Sequence, residues 1–486
     1  MSSMTERLEA TGHKHQKIFI YGIKSNVTAK ILLTLIFIFL ALAVAIPVLA
    51  ATDHTEYIQG PLSSGPEVTT TCLECHDQAA VDVMQTSHWS WSATQMINGK
   101  MVDRGKKNAI NNFCVSINGN WPRCTSCHIG YGWQDASFDF TDKSRVDCLV
   151  CHDTTGTYRK APAGAGMPDS SLDLLYIARN VGAPSRETCG SCHFFGGGGD
   201  AVKHGDLDSS MNYPEKNIDV HMNVDGLDFS CQSCHQTEQH FIRGNAMVVS
   251  PTSQSHIGCS NCHDDNTHAE SIINQHMGNI ACQTCHIPSF AKEVPTKTSW
   301  DWSTAGQDLK GEKDQNGKHS YMKAKGNFTW GVNIVPSYAW YRGEAGAYLP
   351  GDQIDPAAVT KLSYPIGSRT DKGAKIYPFK VHTGKQIYDR QNNYLITPKV
   401  FGKDGYWSTF NWDQAAKLGM EAAGLPYSGN YGFVPTAMYW RINHMVAPKE
   451  QALSCLDCHG DHGRLDWKAL GYQSDPLRQG SRVGKL

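Results

Sequence analysis

Apolar residues run almost unbroken in one place, from Ile31 to Leu49. The thirty residues before that run carry Arg7, Lys14, Lys17, Lys24 and Lys30 against Glu6 and Glu9. A basic flank, an apolar centre and the ending Pro47-Val48-Leu49-Ala50-Ala51 predict a secretory signal peptide over 1–50, cut between Ala50 and Ala51. The run is long enough to cross a bilayer, so an N-terminal membrane anchor is the alternative. In both cases the rest of the chain is exported, and a periplasmic location is expected. No second apolar stretch approaches spanning length, so the exported part is expected to be soluble.

Beyond residue 51 the hydrophobic pattern is short-ranged. Segment 51–287 has few large aliphatic side chains and predicts short helices and loops with little sheet. Segment 288–486 is rich in Trp, Tyr and Gly, with Trp300, Trp302, Trp330, Trp340, Trp407, Trp412 and Trp440, and reads as a covering layer. Asp413 to Ala423 (DQAAKLGMEAA) reads as a short helix; Lys310 to Ser320 and Gly196 to Gly199 read as loops. The expected fold class is mainly α with much irregular loop.

What replaces an aliphatic core is written in the cysteines. Cys-x-x-Cys-His occurs eight times. The copies are CLECH (Cys72, Cys75, His76), CTSCH (Cys124, Cys127, His128), CLVCH (Cys148, Cys151, His152) and CGSCH (Cys189, Cys192, His193). CQSCH (Cys231, Cys234, His235), CSNCH (Cys259, Cys262, His263), CQTCH (Cys282, Cys285, His286) and CLDCH (Cys455, Cys458, His459) follow. This is the attachment signature of c-type haem. Two thiols add to the vinyl groups of one porphyrin, and the adjacent His is placed to ligate the iron. Zinc sites built from Cys and His would not require His directly after the second Cys in every copy. Eight covalent haems are therefore expected, packed as the core with polypeptide wrapped around them. Seven motifs lie in 51–287 and the eighth stands apart in 288–486. Of seventeen cysteines only Cys114 is left over, so no disulfide framework is expected.

The chain is formally −2, and residues 1–50 carry five basic against two acidic groups, which leaves −5 for the rest. Haem propionates make it more acidic. With no basic tract, nucleic acid is excluded as a partner.

A haem that only carries electrons is usually sealed on both faces, most often by His. Outside the motifs and the leader, nine histidines lie near motifs or in apolar settings: His88, His204, His221, His240, His256, His268, His276, His382 and His444. They are the candidate second ligands. His54, His319 and His462 read as surface residues. His240 and His268 each follow a motif His by five residues, too close to reach round their own ring, so each is expected to serve a neighbouring haem.

The eight motifs, the leader and the long gap before the last haem resemble the octahaem tetrathionate reductase family of periplasmic cytochromes. That family is distantly related to hydroxylamine oxidoreductase and pentahaem nitrite reductase. The more specific matching stretches are NNFCVSINGNWPRCTSCH (Asn111 to His128), GGGGDAVKHGDLD (Gly196 to Asp208) and INHMVAPKEQALSCLDCHG (Ile442 to Gly460). The resemblance implies an active-site haem on Cys124 and Cys127 with His128 proximal, Lys203 as the distal ligand and Cys114 nearby. It implies reduction of tetrathionate to thiosulfate, with electrons from a periplasmic or membrane-bound donor such as a quinol dehydrogenase or a small cytochrome. Reduction of nitrite or hydroxylamine at the same haem is the rival activity, and a non-enzymatic electron carrier is the rival class. All take small inorganic partners or none.

Overall fold

Each attachment motif is itself about one turn of helix, which is why the helices are short. CxxC spacing places both thiols on one side of such a turn, as in Leu149–His152, Cys231–Cys234, Cys282–His286 and Cys455–Cys458. Arg186–His193 is longer because a capping box starts it: Ser185 accepts from the Thr188 amide while the Thr188 hydroxyl faces the Ser185 amide. The computed structural model describes residues 53–247, 256–264 and 266–479. The leader expected over 1–50 lies outside these residues. Asp53 onward forms one compact unit. No helix among the described residues is long and apolar enough to cross a membrane.

The expectation of a mainly α chain is not clearly supported: sheet is slight in 51–287, as expected there, but prominent from Thr296 to Arg441. Two hairpins, β1 (Ala93–Ile97) with β2 (Lys100–Arg104) and β3 (Thr237–Glu238) with β4 (Phe241–Ile242), precede a nine-stranded sheet. Its strands are β5 (Thr296–Asp301), β6 (Tyr321–Met322), β7 (Gly326–Gly331), β8 (Ser337–Tyr341), β9 (Glu344–Ala347), β10 (Thr360–Ile366), β11 (Lys375–Asp389), β12 (Tyr394–Leu395) and β13 (Tyr431–Arg441). The order is β6-β7-β5-β11-β13-β10-β9, with β8 and β12 also paired to β11. The long β11–β13 ladder is antiparallel from Phe379↔Arg441 to Asp389↔Tyr431. The Trp- and Tyr-rich composition that marked this segment suits strands, because aromatic residues pack well on a pleated, half-buried surface.

The helix read at Asp413 to Ala423 is Trp412–Ala423, capped by Asn411, which accepts from the Gln414 amide, and stopped by Gly424 in the left-handed region. Trp412 stacks on Tyr406 (3.8 Å between ring centres) and Trp300 on Trp302 (4.4 Å), giving this half an aromatic core of its own.

β11 also grips the first half of the chain. Asn112 donates to the His382 carbonyl (2.6 Å) and Gln386 to the Asn111 carbonyl (2.9 Å). The buried ammonium of Lys380 donates to the carbonyls of Val202 (2.9 Å) and Lys203 (3.1 Å) and to Thr296 Oγ1 (2.6 Å). Asn120 Oδ1 accepts from the amides of Val400 and Phe401. The segments before Cys124 and around Lys203 are thus pinned to one strand and its neighbours.

Candidate active site

Seven motif histidines each face a second histidine. The pairs, with ring-centre separations, are His76–His54 (6.4 Å), His193–His88 (6.0 Å), His152–His240 (6.4 Å) and His263–His221 (6.2 Å). His235–His444 (6.2 Å), His286–His268 (5.9 Å) and His459–His276 (6.4 Å) complete the set. A metal–imidazole bond of about 2.0–2.1 Å places two rings that share one metal roughly 6 Å apart. The outer ring nitrogens fit the same role. Nδ1 faces the carbonyl of Gly182 in His152 (2.8 Å), of Arg243 in His235 (2.8 Å) and of Ile272 in His276 (2.7 Å). It faces carboxylates in His444 (Asp206, 3.1 Å) and His459 (Asp475, 2.6 Å). Such partners fix the tautomer and leave Nε2 free to ligate. The seven sites therefore fit haem iron held on both faces.

Six of the nine candidate histidines stand in these pairs: His88, His221, His240, His268, His276 and His444. His240 and His268 each face the histidine of a motif other than the one they follow. His204, His256 and His382 face no histidine. His204 is buried edge-on against Trp440 (5.1 Å). His382 is sealed within β11 with Nδ1 3.1 Å from Asn112 Oδ1, and His256 is exposed. His54, read as a surface residue, takes a place instead. It lies eighteen positions before its motif in an unremarkable polar stretch, so no local pattern marks it.

Contacts between motif thiols give the order of the sites in space. Cys72 touches Cys148, Cys127 touches Cys192, Cys189 touches Cys231 and Cys259 touches Cys282. Cys151 lies near Cys189, Cys234 near Cys262, and Cys285 near Cys455 and Cys458. The result is a chain from the Cys72 motif through those of Cys148, Cys189, Cys231, Cys259 and Cys282 to that of Cys455. The Cys124 motif branches off at the Cys189 motif.

That branch holds the exception. His128 is fully buried in a cage of Trp133 (4.8 Å), Trp89 (5.2 Å), Trp91 (5.3 Å) and Phe138 (5.7 Å). Its Nε2 is 2.6 Å from the Trp89 carbonyl and its Nδ1 has no partner among the described residues, the reverse of His152, His235 and His459. Gly130 permits this fold-back: a Cβ there would lie 2.7 Å from Trp89 and 2.9 Å from the imidazole. Burial pulls the His128 pKa down to about 3, so the ring is neutral.

Lys203 lies beside this motif, near the Cys127 thiol. Its ammonium is within the field of the Cys127 and Cys192 thiols and 5.1 Å from the Trp440 ring centre. Burial lowers its pKa to about 8, with Lys106 adding to the shift. The glycine run makes room for it. Gly196 lies 3.0 Å from Lys203 Cδ by its missing Cβ, and Gly197, at φ +83°, would collide with Phe113 at 2.7 Å. Cys114 packs between the two aromatic clusters, its amide donating to Asn111 Oδ1 (2.8 Å), close enough to Cys124 to influence that thiol.

Two cations near Cys114 escaped the sequence reading. Lys297 on β5 is buried among Trp300 (4.0 Å), Phe328 (4.1 Å) and Trp330 (5.3 Å), and burial lowers its pKa to about 7. Lys325 lies over Trp407 (5.5 Å), its pKa also lowered by burial, and feels Arg123. Lys297, Lys325 and Arg123 form no ion pair among the described residues. A lysine flanked by tryptophans looks in sequence like any amphipathic strand position.

The comparisons agree with this layout. Residues 297–462 match the family model described as "Cytochrome c bacterial". An uncharacterized protein of Archaeoglobus fulgidus is 24% identical over 245 residues, 40% of this chain and 82% of that one. The crystal structure of octaheme cytochrome c from Shewanella oneidensis superposes with a TM-score of 0.85 at 60% identity, covering 88% of this chain and 98% of the other. Eight attachment motifs, seven facing histidine pairs and this match over nearly the whole described length place the chain in the octahaem c-type cytochromes, with haem c bound covalently.

Proposed function

We propose that the protein is a periplasmic reductase in which electrons run along the histidine-paired haems to the branch at Cys124 and Cys127, where tetrathionate is reduced. The observation that carries the reading is that His128 faces no second histidine among the described residues, while Lys203 lies beside the Cys127 thiol of the same motif. His128 and Lys203 would together hold the haem there, with the lysine the ligand that can yield its place to substrate. A lysine amine ligates only when neutral, and burial favours that form.

When bound, the haem supplies single electrons and a metal position open to a sulfur species. The chain supplies the rest. Two electrons cleave the central S–S bond of tetrathionate and yield two thiosulfates, with no proton required. Lys297, Lys325 and Arg123, lacking carboxylate partners, offset the dianion's charge as it enters and the charge that grows on the departing thiosulfate. The aromatic walls keep the site poor in water, which strengthens those contacts. Cys114 lies beside the path and orients the sulfur chain.

Reduced protein mixed with tetrathionate should reoxidise and release two thiosulfates per substrate. Cys114→Ser should keep all eight haems and their spectra while lowering that rate about tenfold or more. A protein that reoxidises no faster with tetrathionate than without it would reduce the reading to an electron carrier. Lys297 adds a pH dependence. Its pKa, lowered to about 7, means the ammonium is present below that value and lost as pH rises through it. Tetrathionate affinity should weaken as pH goes from 6 to 8, and Lys297→Met should flatten that dependence, as read from the Michaelis constant.

A further inference from the structure

Most outer nitrogens of the paired histidines meet neutral acceptors or none. In hydrogen-bond reach of a carboxylate are His444 and His459. The His459 contact is the shorter, 2.6 Å against 3.1 Å, and both its side chains are nearly out of solvent, 12% exposed for His459 and 10% for Asp475. Asp475 is itself fixed, accepting from the amides of Gly460 (2.6 Å) and Leu477 (2.9 Å). Trp467 stacks on the His459 ring at 5.1 Å and 17°, which holds its plane. Asp206, by contrast, spreads one oxygen, Oδ2, over the amides of Asn443 (2.8 Å) and His444 (3.1 Å) as well as His444 Nδ1. The Cys455 motif stands at one end of this series among the described residues, its thiols near that of Cys285 in the Cys282 motif.

We infer that Asp475 is a potential-setting residue: through Nδ1 of His459 it makes the haem on Cys455 and Cys458 a low-potential end of the chain, the point where a one-electron donor delivers. A histidine whose outer N–H leans on a carboxylate gains imidazolate character and becomes a stronger donor to its metal. The ferric form gains more from that than the ferrous form. The contact is short and its two side chains are mostly shielded from solvent, which strengthens the effect. An electron placed at this end then runs downhill to the Cys282 motif and onward. The inference concerns the wiring and stands whichever substrate the Cys124 site takes.

The test is a spectropotentiometric titration of the holoprotein. Asp475→Asn keeps the size of the side chain and removes the charge. One of eight equal absorbance steps should move to higher potential, the ferric-to-ferrous ratio at fixed potential falling at least about tenfold, or about 59 mV for one electron. The haem should stay low-spin, and its paramagnetic resonance should shift toward that of an ordinary bis-histidine centre. Asp461→Asn is the control: it removes a charge much closer to His459 in sequence, but one paired with Arg478 instead of His459. It should leave the curve in place. A low-spin Asp475→Asn protein with an unmoved titration overturns the inference, and so does an equal shift from Asp461→Asn. Should Asp475→Asn lose His459 as a ligand, Asp475→Glu decides. Retention of the low-potential step supports the inference, and its loss with low-spin spectra intact overturns it.

Discussion

Lys203→Ala converts one haem in eight from low-spin to a high-spin or water-bound form and lowers reductase activity by about 100-fold, the upper end of losses seen when the surroundings of a metal ligand are disturbed. The reason is the geometry of the branch site. Lys203 lies beside the Cys127 and Cys192 thiols, and among the described residues no second histidine faces His128, so the lysine has no substitute. The other seven sites draw both imidazoles from histidines and should keep their spectra. Lys203→His should restore a low-spin centre but not the activity, because imidazole binds ferric haem and the site then resembles the other seven. Lys203→Arg should behave like alanine, since guanidinium stays protonated and cannot ligate. Electron paramagnetic resonance of the oxidised proteins reads all three. A Lys203→Ala spectrum matching the parent would remove lysine ligation from the reading.

What the sequence discloses about this molecule follows from how local each feature is. Attachment of haem is written within five residues, and every one of the eight motifs can be read directly. The short helix at Trp412–Ala423 is equally local, with Asn411 and Gly424 as its start and stop. Second ligands are long-range. His444 meets His235 across more than two hundred residues and His88 meets His193 across more than one hundred. Proximity to a motif therefore selects most of the right residues for an incomplete reason. It favours His204, which sits next to Lys203 but turns to Trp440, and it passes over His54. The sheet was missed because its pattern is diluted. β11 carries Lys380, His382 and Gln386 on buried positions, where each is consumed in holding another segment. Buried polar residues of that kind read as surface until their partners are known. The reversal of His128 has the same origin: CTSCH looks like its seven siblings, and the cage that turns the ring comes from Trp89, Trp91 and the stretch Trp133 to Phe140.

Asp147→Ala destabilises the protein by about 3–5 kcal/mol, the cost of leaving a buried charge without its partner. Asp147 is 3% exposed and accepts four donors: Tyr131 (2.8 Å), Tyr158 (2.8 Å), the Val150 amide (3.1 Å) and the Lys160 ammonium (2.9 Å). The Lys160 side chain is 7% exposed, so water cannot replace the carboxylate. Lys160 also donates to the His128 carbonyl, which ties this network to the branch site. Lys160→Met alone should cost less. Asp147 keeps three donors, and the methionine stem fills the same volume. The double variant Lys160→Met/Asp147→Ala should recover part of the single loss, because no unpaired ammonium remains. Guanidinium melts of the four holoproteins measure the coupling, and additive losses would show that the pair acts through packing and not through charge.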